Sequence, residues 1–78
     1  MSIIIYTKPD CVQCHATCRA LDRKGVAYQC VDLMADGRAW DHVRSLGYRQ
    51  APVVETADDH WSGFRPDKIG ALTAALAS

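Results

Sequence analysis

Two cysteines three positions apart, Cys11-Val12-Gln13-Cys14, stand between a β-branched run, Ile3-Ile4-Ile5, and a stretch with helical character. That junction constrains the chain more than any other feature, because it puts the sulfur pair at a helix N-terminus. There the free backbone N–H groups and the positive end of the helix dipole favour a thiolate on the first sulfur. The second sulfur lies one turn inward, within disulfide reach.

At 78 residues the chain is expected to form one small domain spanning 1–78, burying roughly 60% of the surface its unfolded form exposes. Nine basic residues balance nine acidic ones, so long-range attraction for nucleic acid or anionic lipid is weak. Neither class of partner is expected. The opening Met1 to Tyr6 has no basic flank and stops being apolar too early for a signal peptide. No stretch is long enough to span a membrane. A cytoplasmic location is therefore expected, and with it cysteines that stay reduced or cycle rather than staple the fold.

Residues 2–6 read as a buried strand and residues 12–24 as a helix that stops before Gly25. Residues 26–33 are rich in strand formers (Val26, Tyr28, Cys30, Val31), which completes a βαβ unit with parallel strands. After a turn at Asp36-Gly37, Trp40, Val43 and Leu46 mark one face of a short helix ending at Gly47. Residues 52–55 and 59–62 read as a hairpin around the turn at residues 56–58. From Pro66 a last helix carries Ile69, Leu72 and Leu76 at helical spacing. The predicted order is βαβαββα: an α/β fold with a four-stranded mixed sheet flanked by three helices.

A Cys-x-x-Cys beside a βαβ pattern is a thioredoxin-like redox signal. The chemistry it suits is thiol–disulfide exchange, in which the Cys11 thiolate attacks a partner disulfide and Cys14 displaces the reduced partner. Other readings compete. Both cysteines are small enough to be plain core residues. Followed by His15, the pair also spells the attachment signature of c-type haem, with Met34 or His42 as a distal ligand. That reading requires export, which the N-terminus does not support. Zinc or a subunit-bridging iron–sulfur cluster would draw on Cys11, Cys14, His15 and Cys18, although structural zinc usually uses two separated pairs. Cys18 and Cys30 read as buried or half-buried thiols. Cys18, one helical turn past Cys14, is placed for a side disulfide under oxidation.

Thr7-Lys8-Pro9-Asp10-Cys11-Val12-Gln13-Cys14 resembles the redox loop of the glutaredoxin branch of the thioredoxin fold. Three blocks sharpen the likeness: the dithiol followed by His15-Ala16-Thr17, then Arg49-Gln50-Ala51-Pro52-Val53-Val54, then Trp61-Ser62-Gly63-Phe64-Arg65-Pro66-Asp67. Together they resemble the NrdH-redoxins over nearly the whole chain. That resemblance implies a glutaredoxin-like shape and thioredoxin-like behaviour. It implies electrons taken from NADPH through thioredoxin reductase and passed to the large subunit of class Ib ribonucleotide reductase, in deoxyribonucleotide synthesis. It also implies Cys11 as the nucleophile, Cys14 as the resolving thiol and Pro52 as a cis-proline facing them, with the Ala51 backbone left to pair with a bound peptide. Val12, Gln13, Ala51, Pro52 and Trp61 to Phe64 would meet the partner. No cofactor and no metal is implied, and a monomer is expected. Two positions depart from the pattern: Cys18 stands where such sequences more often carry lysine, and Cys30 is an additional thiol.

Glutathione-dependent glutaredoxins resemble this chain at Lys8, but hold the tripeptide's amino end with a Gly-Gly and acidic arrangement. Here Trp61-Ser62-Gly63-Phe64 fills that place, so poor use of glutathione is expected, with Lys8 aiding the Cys11 thiolate or facing solvent. Trp61 is expected to support the hairpin while Ser62, Gly63 and Phe64 shape the rim, and Asp67 suits the positive end of the last helix. Trp40 reads as core and His42 and His60 as solvent-facing. His15 is close enough to the sulfurs to tune them. The first strand offers no carboxylate to deprotonate Cys14.

Overall fold

A computed structural model of the chain describes residues 3–77, with side chains described to residue 75. Its elements are β1 (Ile4–Thr7), α1 (Val12–Arg23), β2 (Gln29–Asp32), α2 (Gly37–Ser45), β3 (Val53–Glu55), β4 (His60–Ser62) and α3 (Pro66–Ala77). The sheet order is β2-β1-β3-β4. β1 pairs parallel with β2 and antiparallel with β3, and β3 pairs antiparallel with β4. This is the expected βαβαββα mixed sheet. Ser2, expected at the start of the first strand, and the Leu76 side chain lie outside the described residues.

β1 is covered on both faces, which is why its sequence is a run of large apolar residues rather than an alternation. Ile5 is fully buried and joins Ile3, Leu21, Val54, Trp61 and Ile69 under α1 and α3. Tyr6 points the other way and joins Leu33, Ala39, Val43 and Val53 under α2. Burying a side chain such as Ile5 contributes roughly 1.5–3 kcal/mol. Two modest cores thus share one central strand, and any shift of register in β1 would exchange them.

α2 begins where Asp36 accepts hydrogen bonds from the N–H groups of Arg38 and Ala39, at 3.0 and 3.2 Å. A cap of this kind is worth about 1 kcal/mol. The buried face of α2 is Ala39 and Val43. Trp40 is only half-buried, and Leu46 is the half-buried C-cap. The expected face of Trp40, Val43 and Leu46 is therefore rotated by one position, because alanine lets the helix approach the sheet where the wide indole does not.

The second strand is shorter than its composition predicts. Gly25, at φ 68°, closes α1, and the Val26 N–H still bonds back to the Leu21 carbonyl at 3.1 Å. Val26 and Tyr28 pack on the α1 face without joining the ladder, which begins when the Gln29 N–H reaches the Ile3 carbonyl at 2.9 Å. His42 and His60 are exposed but engaged. His42 Nε2 lies 2.9 Å from Glu55 Oε1, and His60 Nδ1 lies 2.8 Å from the Tyr48 hydroxyl. Tyr6 also donates to Glu55 at 3.0 Å; burial first, and that carboxylate second, push its phenol up to about 12.

Candidate functional site

The pair Cys11 and Cys14 sits where the parallel β1 feeds α1. Asp10 turns the chain there at φ 57°, a left-handed conformation that aspartate tolerates better than most residues. Cys11 is the N-cap of α1, with extended φ −108° and ψ 106°, and its Sγ accepts the Cys14 N–H at 3.2 Å. Sulfur thus replaces the usual serine or aspartate oxygen as the acceptor of an unused helix-start donor. No acidic side chain occupies the first turn of α1, so nothing there opposes a negative charge on that sulfur. The two cysteines are joined as a disulfide with Cα atoms 5.2 Å apart. Both are buried, Cys11 at 7% exposure and Cys14 at 4%.

The second block arrives from the sheet. The Ala51–Pro52 peptide is cis, as the resemblance implies, and the Ala51 carbonyl oxygen lies 3.8 Å from Cys11 Sγ. Pro52 is buried. Its carbonyl accepts the Gly63 N–H at 2.8 Å, which draws the third block against the second. The Ala51 N–H makes no hydrogen bond among the described residues, so it is open to an incoming strand.

Gln13 closes the circle. Its Oε1 accepts the Phe64 N–H at 3.1 Å across 51 positions of sequence. Gly63 permits that bond: its φ is 84°, and a Cβ there would meet Gln13 Oε1 at 3.3 Å. Sequence reading placed Gln13 and Gly63 at the site but missed their contact. The signal it had was only that one residue lies between the sulfurs and the other beside an aromatic.

The outward surface is small and apolar. Val12 is 82% exposed and Phe64 38% exposed, on either side of the Gln13 bond. Trp61, at 4% exposure, is core, so it supports this rim from beneath and presents no surface of its own. Lys8 is exposed and lines a groove of about 400 Å³ with Cys11, Val12, Gln13, Gln50 and Ala51. His15 is also exposed, on the turn of α1 beyond Cys14. Thr17, fully buried in α1, donates to the Gln13 carbonyl at 2.9 Å, so its burial leaves no hydroxyl unsatisfied. Beyond the rim, Arg65 grips Asp67 through two hydrogen bonds of 3.1 and 2.9 Å as α3 begins, which holds the Asp67 carboxyl below the usual carboxylate range.

The remaining thiols stand apart. Cys18 is half-buried, but Cys30 is exposed, because β2 is an edge strand. The Cys18 sulfur faces Cys30 at 3.8 Å, while the Cys14 sulfur is bonded to Cys11, so the free thiol beside Cys18 is that of Cys30. Among the described residues no group of three or more His, Cys, Asp or Glu is arranged to hold a metal ion. None of their helices is long and apolar enough to cross a membrane.

Comparison with known proteins agrees with this geometry. The sequence profile of the glutaredoxin family matches residues 3–61. The chain is 50% identical over 72 residues to the glutaredoxin-like protein NrdH of Salmonella typhimurium, covering 92% of this chain and 89% of that one. It is 47% identical over 75 residues to NrdH of Escherichia coli, covering 96% and 93%. Among solved structures it resembles the NrdH-redoxin of Escherichia coli, a glutaredoxin-like protein described as having a thioredoxin-like activity profile. The TM-score is 0.89 at 47% identity, covering 92% of this chain and 95% of that one. The glutaredoxin of Archaeoglobus fulgidus shares the fold at a TM-score of 0.76 and 22% identity.

Proposed function

The chain belongs to the glutaredoxin family, as one of its NrdH-like members, and from that premise we propose that it is a dithiol electron carrier. In the reduced protein the Cys11 thiolate attacks a partner disulfide. One partner sulfur leaves as thiolate and a mixed disulfide forms. Cys14, once deprotonated, attacks the Cys11 sulfur, the mixed disulfide breaks, and the partner departs as a dithiol. The chain is left with the Cys11–Cys14 disulfide. Thioredoxin reductase, using NADPH, returns the two electrons, and the partner served is the large subunit of class Ib ribonucleotide reductase, in the cytoplasm.

The observation that carries this reading is the placement of Cys11 Sγ at the helix cap, accepting the Cys14 N–H at 3.2 Å. The same donor stabilises a thiolate more than a thiol, because a charged acceptor strengthens the bond. Support for weak glutathione use comes from the rim. The Phe64 N–H is taken by the chain's own Gln13, so it is withheld from the tripeptide's backbone. The cis Ala51–Pro52 turn supplies the edge along which a partner segment pairs, and Val12, Gln13, Ser62, Gly63 and Phe64 frame it.

The test is a side-by-side assay of disulfide reduction. Turnover is expected with NADPH and thioredoxin reductase and only weakly with glutathione and glutathione reductase. Turnover with the second system alone would move the chain to the glutathione-dependent glutaredoxins. Cys14→Ser should trap a covalent adduct with the reductase subunit; absence of any adduct would refute the order of attack.

A further inference from the structure

We propose that Cys18 and Cys30 form a second redox site, a dithiol that low-molecular-weight disulfides convert to an intramolecular Cys18–Cys30 disulfide, fastening α1 to the edge strand β2. The two sulfurs are in contact at 3.8 Å although twelve positions separate them in sequence. Parallel pairing sets Cys30 opposite Ile5, and Ile5 belongs to the core beneath α1, so Cys30 faces the helix rather than α2. Tyr28 holds the approach in place. Its hydroxyl donates to the Asp22 carboxylate at 2.8 Å and lies 3.4 Å from the Cys18 carbonyl, tying the segment before β2 to the same turns of α1. A disulfide requires the sulfurs to close to roughly 2.05 Å, a movement of less than two ångströms that rotation about the two Cα–Cβ bonds can supply. A metal site is the weaker alternative, since no third donor joins the pair among the described residues.

Cys30 is exposed and Cys18 half-buried, which orders the chemistry. The Cys30 thiolate attacks a small disulfide, the S–S bond breaks, and one small thiolate leaves. Cys18 then loses its proton and attacks the Cys30 sulfur, releasing the second small thiolate. The protein has lost two electrons, and the two protons from its thiols end on the two small thiols. Partial burial of its sulfur, then the adjoining Cys18, push the Cys30 thiol up to about 11. The pair is thus slow to exchange at neutral pH and stays reduced while faster thiols turn over. This site uses neither Cys11 nor Cys14, so it does not depend on the function proposed above.

The test uses the full chain carrying Cys11→Ser and Cys14→Ser, in which Cys18 and Cys30 are the remaining thiols, exposed to glutathione disulfide as probe. Both thiols are expected to disappear with a mass loss of about 2 Da, without dimers on a non-reducing gel. Trypsin, cutting after Arg19, Arg23 and Lys24, should release the two cysteine peptides still joined, and separated by dithiothreitol. The thermal midpoint should rise on oxidation and return on reduction. Persistent free thiols, a stable glutathione adduct on Cys30, or disulfide-linked dimers as the main product would overturn the proposal. If the double variant does not fold, the joined peptides are sought in the oxidised wild-type chain, where finding them supports the proposal and failing to find them overturns it. Cys18→Ser should arrest the reaction at the Cys30–glutathione adduct; loss of the Cys30 thiol without that adduct also counts against the mechanism.

Discussion

The two sulfur pairs of this chain both involve α1, the second reaching across to β2, and they differ in what surrounds them. Cys11 and Cys14 stand at the start of α1, where a backbone N–H points at the outer sulfur and no acidic side chain occupies the first turn. Cys18 and Cys30 meet at the helix flank, where the amides are spent within the helix and where burial, the second sulfur and Asp22 push the Cys30 thiol up. The helix start therefore offers Cys11 a donor that favours its thiolate, while the surroundings of Cys30 favour its thiol. Both pairs bring their sulfurs together, so the contrast between them lies in the surroundings: a free helix-start amide at one and partial burial at the other.

The largest expected effect separates the pairs directly. Cys11→Ser should cut disulfide reductase activity by at least about 10³-fold, whereas Cys30→Ser should leave it within about twofold, measured with thioredoxin reductase and NADPH. Equal losses would erase the distinction. Next comes the pH dependence of alkylation, followed residue by residue by mass spectrometry. Labelling of Cys30 should rise about tenfold per pH unit up to about pH 11, while labelling of reduced Cys11 should level off well below that.

The same shift has a consequence for stability. The folded-state value of Cys30 is raised above the ordinary 9.0 to about 11, and that of Tyr6 above 10.0 to about 12. The unfolded chain therefore releases these protons first and binds fewer of them in between. The contribution of these two groups is fully present below pH 9, falls between about pH 9 and 11 through Cys30, and falls further to about pH 12 through Tyr6. Denaturant midpoints across that range should decline, and Cys30→Ser should remove the earlier part of the decline.

Smaller effects probe the supports of each pair. Gln13→Ala removes the acceptor for the Phe64 N–H and should weaken the interaction with thioredoxin reductase by about fivefold, the equivalent of about 1 kcal/mol, seen in KM more than in kcat. Tyr28→Phe removes the hydroxyl that reaches Asp22 and should cost about 0.5–1 kcal/mol in chemical denaturation. It should also slow closure of Cys18 onto Cys30 without changing reductase activity.

Element order and the reactive pair were legible in the sequence because each had a local cause: β-branched strand residues, a glycine after α1, a proline opening α3, sulfurs at a junction. What was not legible depended on contacts between distant segments. The short second strand follows from the bond of the Val26 N–H back to Leu21, which composition does not encode. The burial of Ala39 in place of Trp40 depends on how closely α2 approaches the sheet. The engagement of His42 by Glu55, the exposure of Cys30 and its meeting with Cys18 follow from strand order and register. Gln13 is the clearest case: read as a partner contact, it is also an internal brace, because Gly63 leaves space for its amide.

That brace divides the labour within the four-residue dithiol segment. Two of its members form the disulfide and Gln13, although exposed, is tied through its Oε1 to the Phe64 N–H, so Val12, 82% exposed, is the side chain that projects without an internal tie. Under the function proposed above, Val12 is the position at which client choice would be retuned with the sulfur pair behind it left in place.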